Sequence, residues 1–122
     1  MTKSRVSVIV ADDHPVVLRG IVDVLQACAD INVVGAFGDG LSAMDGIRKL
    51  DPDVAVLDIT MPGLTGLEVL ATMNAEKNKT PVVFLTALIT DEQVLTAVER
   101  GVKAVLLKDT APDPAARRQS WR

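Results

Sequence analysis

Residues 53–63 read DVAVLDITMPG: Asp53, then Val54-Ala55-Val56-Leu57, then Asp58-Ile59-Thr60-Met61-Pro62-Gly63. The apolar run between the two aspartates shows no alternation. It therefore reads as a strand covered on both faces, as in a parallel sheet, rather than one with a wet side. Met61-Pro62-Gly63 breaks it. The strand spans Asp53 to Asp58, so it delivers Asp58 at its carboxyl end and leaves Asp53 at the opposite end.

Four further runs have the same character: Arg5 to Ala11 (RVSVIVA), Ile31 to Phe37, Pro81 to Thr86 (PVVFLT) and Lys103 to Lys108 (KAVLLK). Helix-period segments separate them. Pro15 to Ala29 carries an apolar stripe of Val17, Leu18, Ile21, Val24, Leu25 and Cys28. His14 before Pro15 suits an N-cap followed by the first helical turn, where proline is tolerated. Gly38-Asp39-Gly40 is a turn, and Leu41 to Leu50 places Met44, Ile47 and Leu50 on one face. Thr65 with Glu68, and Thr90 with Gln93, have the spacing of capping boxes. The helix after Thr90 runs to about Arg100 and stops at Gly101. Strand and helix alternate five times, which predicts an α/β domain around a parallel sheet.

The tail departs from the pattern. Residues 110–122 contain two prolines and no apolar stripe, where a fifth helix is expected to cover the sheet. The domain is therefore placed at 1–109, with 110–122 as an irregular tail of truncated or cloning-derived origin, its last helix missing or degraded.

Composition agrees with one soluble domain: 122 residues, 48% hydrophobic and 24% charged. With two Phe, one Trp and no Tyr, the core must be aliphatic. The net charge of −3 argues against direct nucleic-acid binding by this domain, which needs a basic face. Cys28 is the only cysteine. It suits a reducing, cytoplasmic setting and reads as a small buried hydrophobe on the first helix. No apolar run reaches the ~18 residues of a membrane span, and the first five residues lead into a strand without the look of a signal peptide.

In open parallel α/β sheets, ligands bind outside the carboxyl ends of the strands. The first strand ends in Asp12-Asp13, the third in Asp58, the fourth in Thr86 and the fifth in Lys108. Three carboxylates, a hydroxyl and an ammonium converge on one edge. Clustered carboxylates need compensation to ionise together, and Mg²⁺, which prefers hard oxygen ligands and keeps several waters, supplies it. A carboxylate facing such an ion can act as a nucleophile toward phosphorus, while the ion, Lys108 and a hydroxyl stabilise the transferring oxygens. Asp58, at the tip of the central strand, is the nucleophile candidate. Asp12 and Asp13 are the metal candidates, and Thr86 and Lys108 the phosphoryl contacts. His14 reads as an N-cap beside the site, not as a ligand or catalyst.

At these residues the sequence resembles the receiver domains of two-component response regulators. The match runs from Val6 to Asp109 and rests on Val10-Ala11-Asp12-Asp13-His14-Pro15, Asp58-Ile59-Thr60-Met61-Pro62-Gly63, Gly66-Leu67-Glu68, Thr86-Ala87 and Leu107-Lys108-Asp109. The resemblance implies a flavodoxin-like, doubly wound, five-stranded sheet in the order 2-1-3-4-5. It implies that Asp58 accepts a phosphoryl group from a sensor histidine kinase in a Mg²⁺-dependent reaction. Asp12, Asp13, Asp58 and the backbone carbonyl of Thr60 would hold the ion, Thr86 would be the switch hydroxyl, and Lys108 would contact phosphate. Such a domain is a signalling switch, not an enzyme beyond its own phosphoryl transfer and dephosphorylation. Asp-Asp-His-Pro and Lys108-Asp109-Thr110 resemble the subfamily with a C-terminal LuxR-type helix-turn-helix output domain, which implies control of transcription.

Two departures bear on output. The family places Tyr or Phe three residues before the lysine, and here that residue is Val105. The tail lacks the helix that packs beside the first one, which exposes an apolar face and points to a homodimer or a domain-swapped dimer. Two other readings stand beside the switch. A degenerate receiver used for docking is favoured by Val105 and the tail, and opposed by the complete acidic set. A hydrolase working through aspartyl phosphate needs a second acid/base Asp shortly after the nucleophile, where Thr60 stands two residues after Asp58.

Overall fold

The computed structural model describes residues 5–108. Five strands alternate with four helices: β1 (Val6–Ala11), α1 (Pro15–Gln26), β2 (Ile31–Phe37), α2 (Gly40–Leu50), β3 (Val54–Leu57), α3 (Gly66–Ala75), β4 (Val82–Thr86), α4 (Asp91–Glu99) and β5 (Ala104–Leu107). The strands form one sheet in the order β2-β1-β3-β4-β5, with every pairing parallel. This is the expected flavodoxin-like order. The region anticipated as a helix-less tail, 110–122, lies outside the described residues.

Local chemistry sets the helix starts. Asp39 caps α2 by accepting from the Ser42 amide at 2.7 Å. Both anticipated capping boxes form. Thr65 and Glu68 exchange bonds at the start of α3, and Thr90 and Gln93 do so at the start of α4. Gly101 follows α4 with φ +86°, a conformation that costs a side-chain-bearing residue energy.

The core is mainly aliphatic, with Phe84 inside it and Phe37 packed against it. Ile9, Met44, Ile47, Leu57, Ile59, Met73, Val69 and Val82 form one buried cluster with Phe84, which is fully buried. Two glycines allow close approach. A Cβ on Gly40 would stand 1.9 Å from the Leu64 carbonyl oxygen, and one on Gly66 would stand 2.5 Å from that of Asp58. Helix α3 can thus lie against the carboxyl end of β3.

One expectation is corrected. Cys28 is exposed and lies beyond α1, which ends at Gln26. The helix stops three residues short of Ala29, and Val24, one turn before Cys28 on the same face, is itself exposed, so this end of the stripe does not reach the core. No residue of α1 is fully buried among the described residues, and Val24 is well exposed. The apolar stripe of α1 is therefore only half covered.

Candidate functional site

The parallel ladder continues one residue past the strands on a single edge of the sheet. The Asp12 amide donates to the Phe37 carbonyl at 3.0 Å, the Asp58 amide to that of Ala11 at 2.9 Å, and the Lys108 amide to that of Thr86 at 2.8 Å. These bonds fix the backbone of three charged residues just where their strands end. The two carboxylates are withdrawn from water, Asp12 at 1% exposed and Asp58 at 5%, as is Thr86 at the end of β4, at 2%. Asp53 lies at the other end of β3, where its carboxylate accepts from the amide and hydroxyl of Ser7.

Lys108 ties the carboxylates together. Its Nζ donates to Asp12 Oδ2 and, at 3.0 Å, to Asp58 Oδ2. Burial pulls the ammonium pKa down. Hydrogen bonds to Asp12 and Asp58, together with attraction from both charges, outweigh that and hold it above the ordinary lysine value. The other oxygens are held by the backbone. Asp12 Oδ1 accepts from the His14 amide at 2.9 Å, and Asp58 Oδ1 from the Thr60 amide at 3.3 Å.

Asp13 completes the group. Its Oδ1 is buried and has no hydrogen-bond partner among the described residues. Ligand atoms of Asp12, Asp13, His14 and Asp58 all lie within 4.8 Å of one another. A buried oxygen with no hydrogen bond among the described residues, 3.1 Å from His14 Nδ1 and beside two carboxylates sharing one ammonium, belongs to a donor set that fits a divalent cation. Above it lies a cavity of about 250 Å³, lined by His14, Val17, Asp58, Thr60, Thr86, Ala87, Leu88 and Lys108.

Every residue singled out at the carboxyl edge is therefore brought to one place: Asp12, Asp13, Asp58, Thr60, Thr86 and Lys108. The contribution of Thr60 seen here is its amide, and its side chain is exposed. The Thr86 hydroxyl donates to the Leu88 carbonyl at 3.2 Å. Val105 packs, half-buried, against the core.

Two features of the site were not anticipated. His14 is the N-cap residue of α1, as expected, but its side chain makes no capping bond. Its imidazole turns instead toward Asp12 and Asp13. The signal was local: an Asp two residues before the cap can accept the cap's own amide, and that turn brings the ring back over the carboxylates. The second is Leu88, whose carbonyl holds the Thr86 hydroxyl. Nothing in the residue type marks a backbone acceptor.

Comparison with known proteins bears directly on this geometry. The family model for the response regulator receiver domain matches residues 8–117. The nitrate/nitrite response regulator protein NarL of Escherichia coli K12 is 34% identical over 107 residues, covering 88% of this chain and 50% of the relative. The probable transcriptional regulatory protein NarL of Mycobacterium tuberculosis H37Rv is 38% identical over 106 residues, covering 87% and 49%. The chain thus spans about half the length of these relatives. Among solved structures, the signal receiver domain of the putative response regulator NarL from Mycobacterium tuberculosis superposes with TM-score 0.84 at 37% identity, over 89% of this chain and 88% of that one. A DNA-binding response regulator of the LuxR family from Staphylococcus aureus gives TM-score 0.82 at 29% identity, over 95% and 97%.

Proposed function

The chain belongs to the response regulator receiver domain family, and from that membership we propose that it is a phosphorylation-activated switch whose phosphoacceptor is Asp58. The observation that carries the reading is the buried Lys108 ammonium shared between Asp12 and Asp58, at the floor of a cavity that Thr86 also lines. A carboxylate oxygen of Asp58 bonds to phosphorus as the P–N bond to a sensor kinase histidine breaks, leaving an acyl phosphate. Lys108 sits within reach of the oxygens that gain charge. Thr86 can turn its hydroxyl from Leu88 to a phosphoryl oxygen. Asp12, Asp13, Asp58 and the Thr60 carbonyl would hold Mg²⁺. When bound, the ion offsets the carboxylate charge and draws phosphoryl oxygens toward Asp58.

Activation is a population shift, because only a phosphoryl group that interacts better with one conformation can favour it. The relative from Mycobacterium tuberculosis is by name a probable transcriptional regulatory protein, and the one from Escherichia coli a nitrate/nitrite response regulator. By that kinship the output of this chain is transcriptional, exerted in the cytoplasm through a DNA-binding domain beyond the receiver. No helix among the described residues is long and apolar enough to cross a membrane. Val24 of α1, Leu95 and Val98 of α4, and Leu106 and Leu107 of β5 are all exposed. Exposed apolar side chains of this kind support association into a homodimer, which light scattering at high concentration would detect.

The test of the central reading is intact-mass measurement after incubation with Mg²⁺ and acetyl phosphate. Wild type gains one phosphoryl group and Asp58→Asn gains none. No gain in wild type would favour the docking-module reading.

A further inference from the structure

The geometry points to His14 as a fourth side-chain ligand beside Asp12, Asp13 and Asp58, which makes the acidic pocket a site for a borderline divalent cation such as Zn²⁺ as well as for Mg²⁺. This deepens the proposed function, because it rests on the same carboxylates being the metal site.

The imidazole is where a ligand would be. His14 Nδ1 lies 3.3 Å from Asp12 Oδ1 and 3.1 Å from Asp13 Oδ1. Ligands at ~2.1 Å from one ion stand ~3.0 Å apart when octahedrally cis and ~3.4 Å apart when tetrahedral. Both observed separations fall in that interval. The Asp13 contact is close without being a hydrogen bond, since Asp13 Oδ1 is buried and has no hydrogen-bond partner among the described residues. His14 Nδ1 therefore approaches two carboxylate oxygens at once, and Asp58 brings a third carboxylate within 4.8 Å.

The ring already faces the carboxylates, with Nδ1 hydrogen-bonded to Asp12 Oδ1, a contact that a shared ion would replace. It makes no bond to the amides of α1, although His14 is the N-cap residue. Lys108 occupies the Oδ2 atoms of Asp12 and Asp58, so it does not contact the Oδ1 atom of Asp12 that His14 approaches. The His14 side chain is 69% exposed, so an arriving ion meets it first.

The donor types set the preference. Mg²⁺ demands oxygen and gains little from an imidazole. Zn²⁺ binds imidazole nitrogen and carboxylate together, and affinity across the first-row ions rises toward Cu²⁺ and Zn²⁺ wherever nitrogen is present. An ion held by three carboxylates and an imidazole also keeps fewer positions for water or a phosphoryl oxygen. Which ion fills the pocket would then govern access to Asp58.

His14 is the only histidine in the chain, so its imidazole gives a single, unambiguous NMR signal in untagged protein. Zn²⁺ titrated into ¹⁵N-labelled protein is expected to shift the Nδ1 resonance at one equivalent by more than Mg²⁺ does. Mg²⁺ can only displace the contacts of Nδ1 with Asp12 and Asp13, while Zn²⁺ bonds to the nitrogen itself, and equal shifts with the two ions would overturn the assignment. By calorimetry, His14→Gln is expected to lose at least tenfold in Zn²⁺ affinity. Zn²⁺ binding with an unmoved Nδ1 signal, or with equal affinity in His14→Gln, would overturn the assignment. The two readings separate cleanly. Phosphoryl gain at Asp58 with no Nδ1 shift removes only the His14 ligand, and an Nδ1 shift without any phosphoryl gain removes only the switch.

Discussion

The Thr86 hydroxyl lies in the cavity beside Asp58, yet it donates its proton to the carbonyl of Leu88 at 3.2 Å. Leu88 is 80% exposed, so its conformation is held by this bond rather than by packing. A phosphoryl group that claims the hydroxyl would release Leu88. Thr86→Val keeps the shape and removes the donor. It is expected to cost about 1 kcal/mol and to raise amide hydrogen exchange across residues 87–90 before any phosphorylation. Thr86→Ser should leave exchange there as in wild type. Equal exchange in Thr86→Val and wild type would show that the bond holds nothing.

Legibility from sequence followed how directly each feature is written in residue type. Strands that are apolar on both faces, and helices opened by Thr65-Glu68 and Thr90-Gln93, were readable because the pattern is local. Asp12, Asp58, Thr86 and Lys108 were readable as one site because a parallel sheet puts all carboxyl ends on one edge. Features that depend on small geometric differences were not. Cys28 was expected inside, but the end of the stripe that holds Val24 does not reach the core, and Cys28 is exposed. The aim of the His14 ring follows from its amide bonding to Asp12, and the acceptor for Thr86 is a backbone oxygen of Leu88. Neither is visible in composition or period.

Gly66 sets how closely α3 approaches Asp58. An added Cβ would lie 2.5 Å from the Asp58 carbonyl oxygen and 3.0 Å from Ile59 Cα, both backbone atoms that cannot swing aside. Gly66→Ala should therefore lower stability by roughly 1–3 kcal/mol and slow phosphoryl gain by shifting the Asp58 peptide. Gly20 of α1 is the control, since a Cβ there meets nothing within 4 Å. Gly20→Ala should stabilise by roughly 0.5–1 kcal/mol. Urea midpoints with an unchanged slope would report both. Equal stabilities for Gly66→Ala and wild type would mean that α3 can retreat without cost.

Arg48 of α2 and Glu76, the C-cap of α3, form a bidentate pair at 3.0 Å and 2.5 Å. The hydrogen bond from Arg48 lowers the Glu76 pKa, and the smaller effect of burial opposes it. A carboxylate whose folded pKa is depressed adds stability above its unfolded value. That stability is lost as pH falls through the folded value. Wild type should thus lose an increment of stability below about pH 4.3 that Glu76→Gln never had, so their difference should shrink in acid. Both side chains are well exposed, at 45% and 38%, so added salt should shrink it too. A difference that is flat in pH and salt would assign the loss to packing.

Lys108 is the counter-charge of the site and the group whose removal exposes its electrostatics most directly. Its side chain is 10% exposed, between carboxylates that are 1% and 6% exposed. Lys108→Ala leaves two buried negative charges beside Asp13 with no cation. Breaking a buried pair in this way costs on the order of 3–5 kcal/mol. Because a divalent ion can replace the missing charge, Mg²⁺ should recover more stability in Lys108→Ala than it adds to wild type. The sign of the pH dependence is also set. Since the folded ammonium pKa lies above the ordinary lysine value of 10.5, its contribution is complete below that pH and disappears as pH rises through the folded value. Wild type should therefore lose stability on the alkaline side and Lys108→Ala should lose less. Parallel curves for the two proteins above pH 10.5 would mean that Lys108 is not the group that titrates.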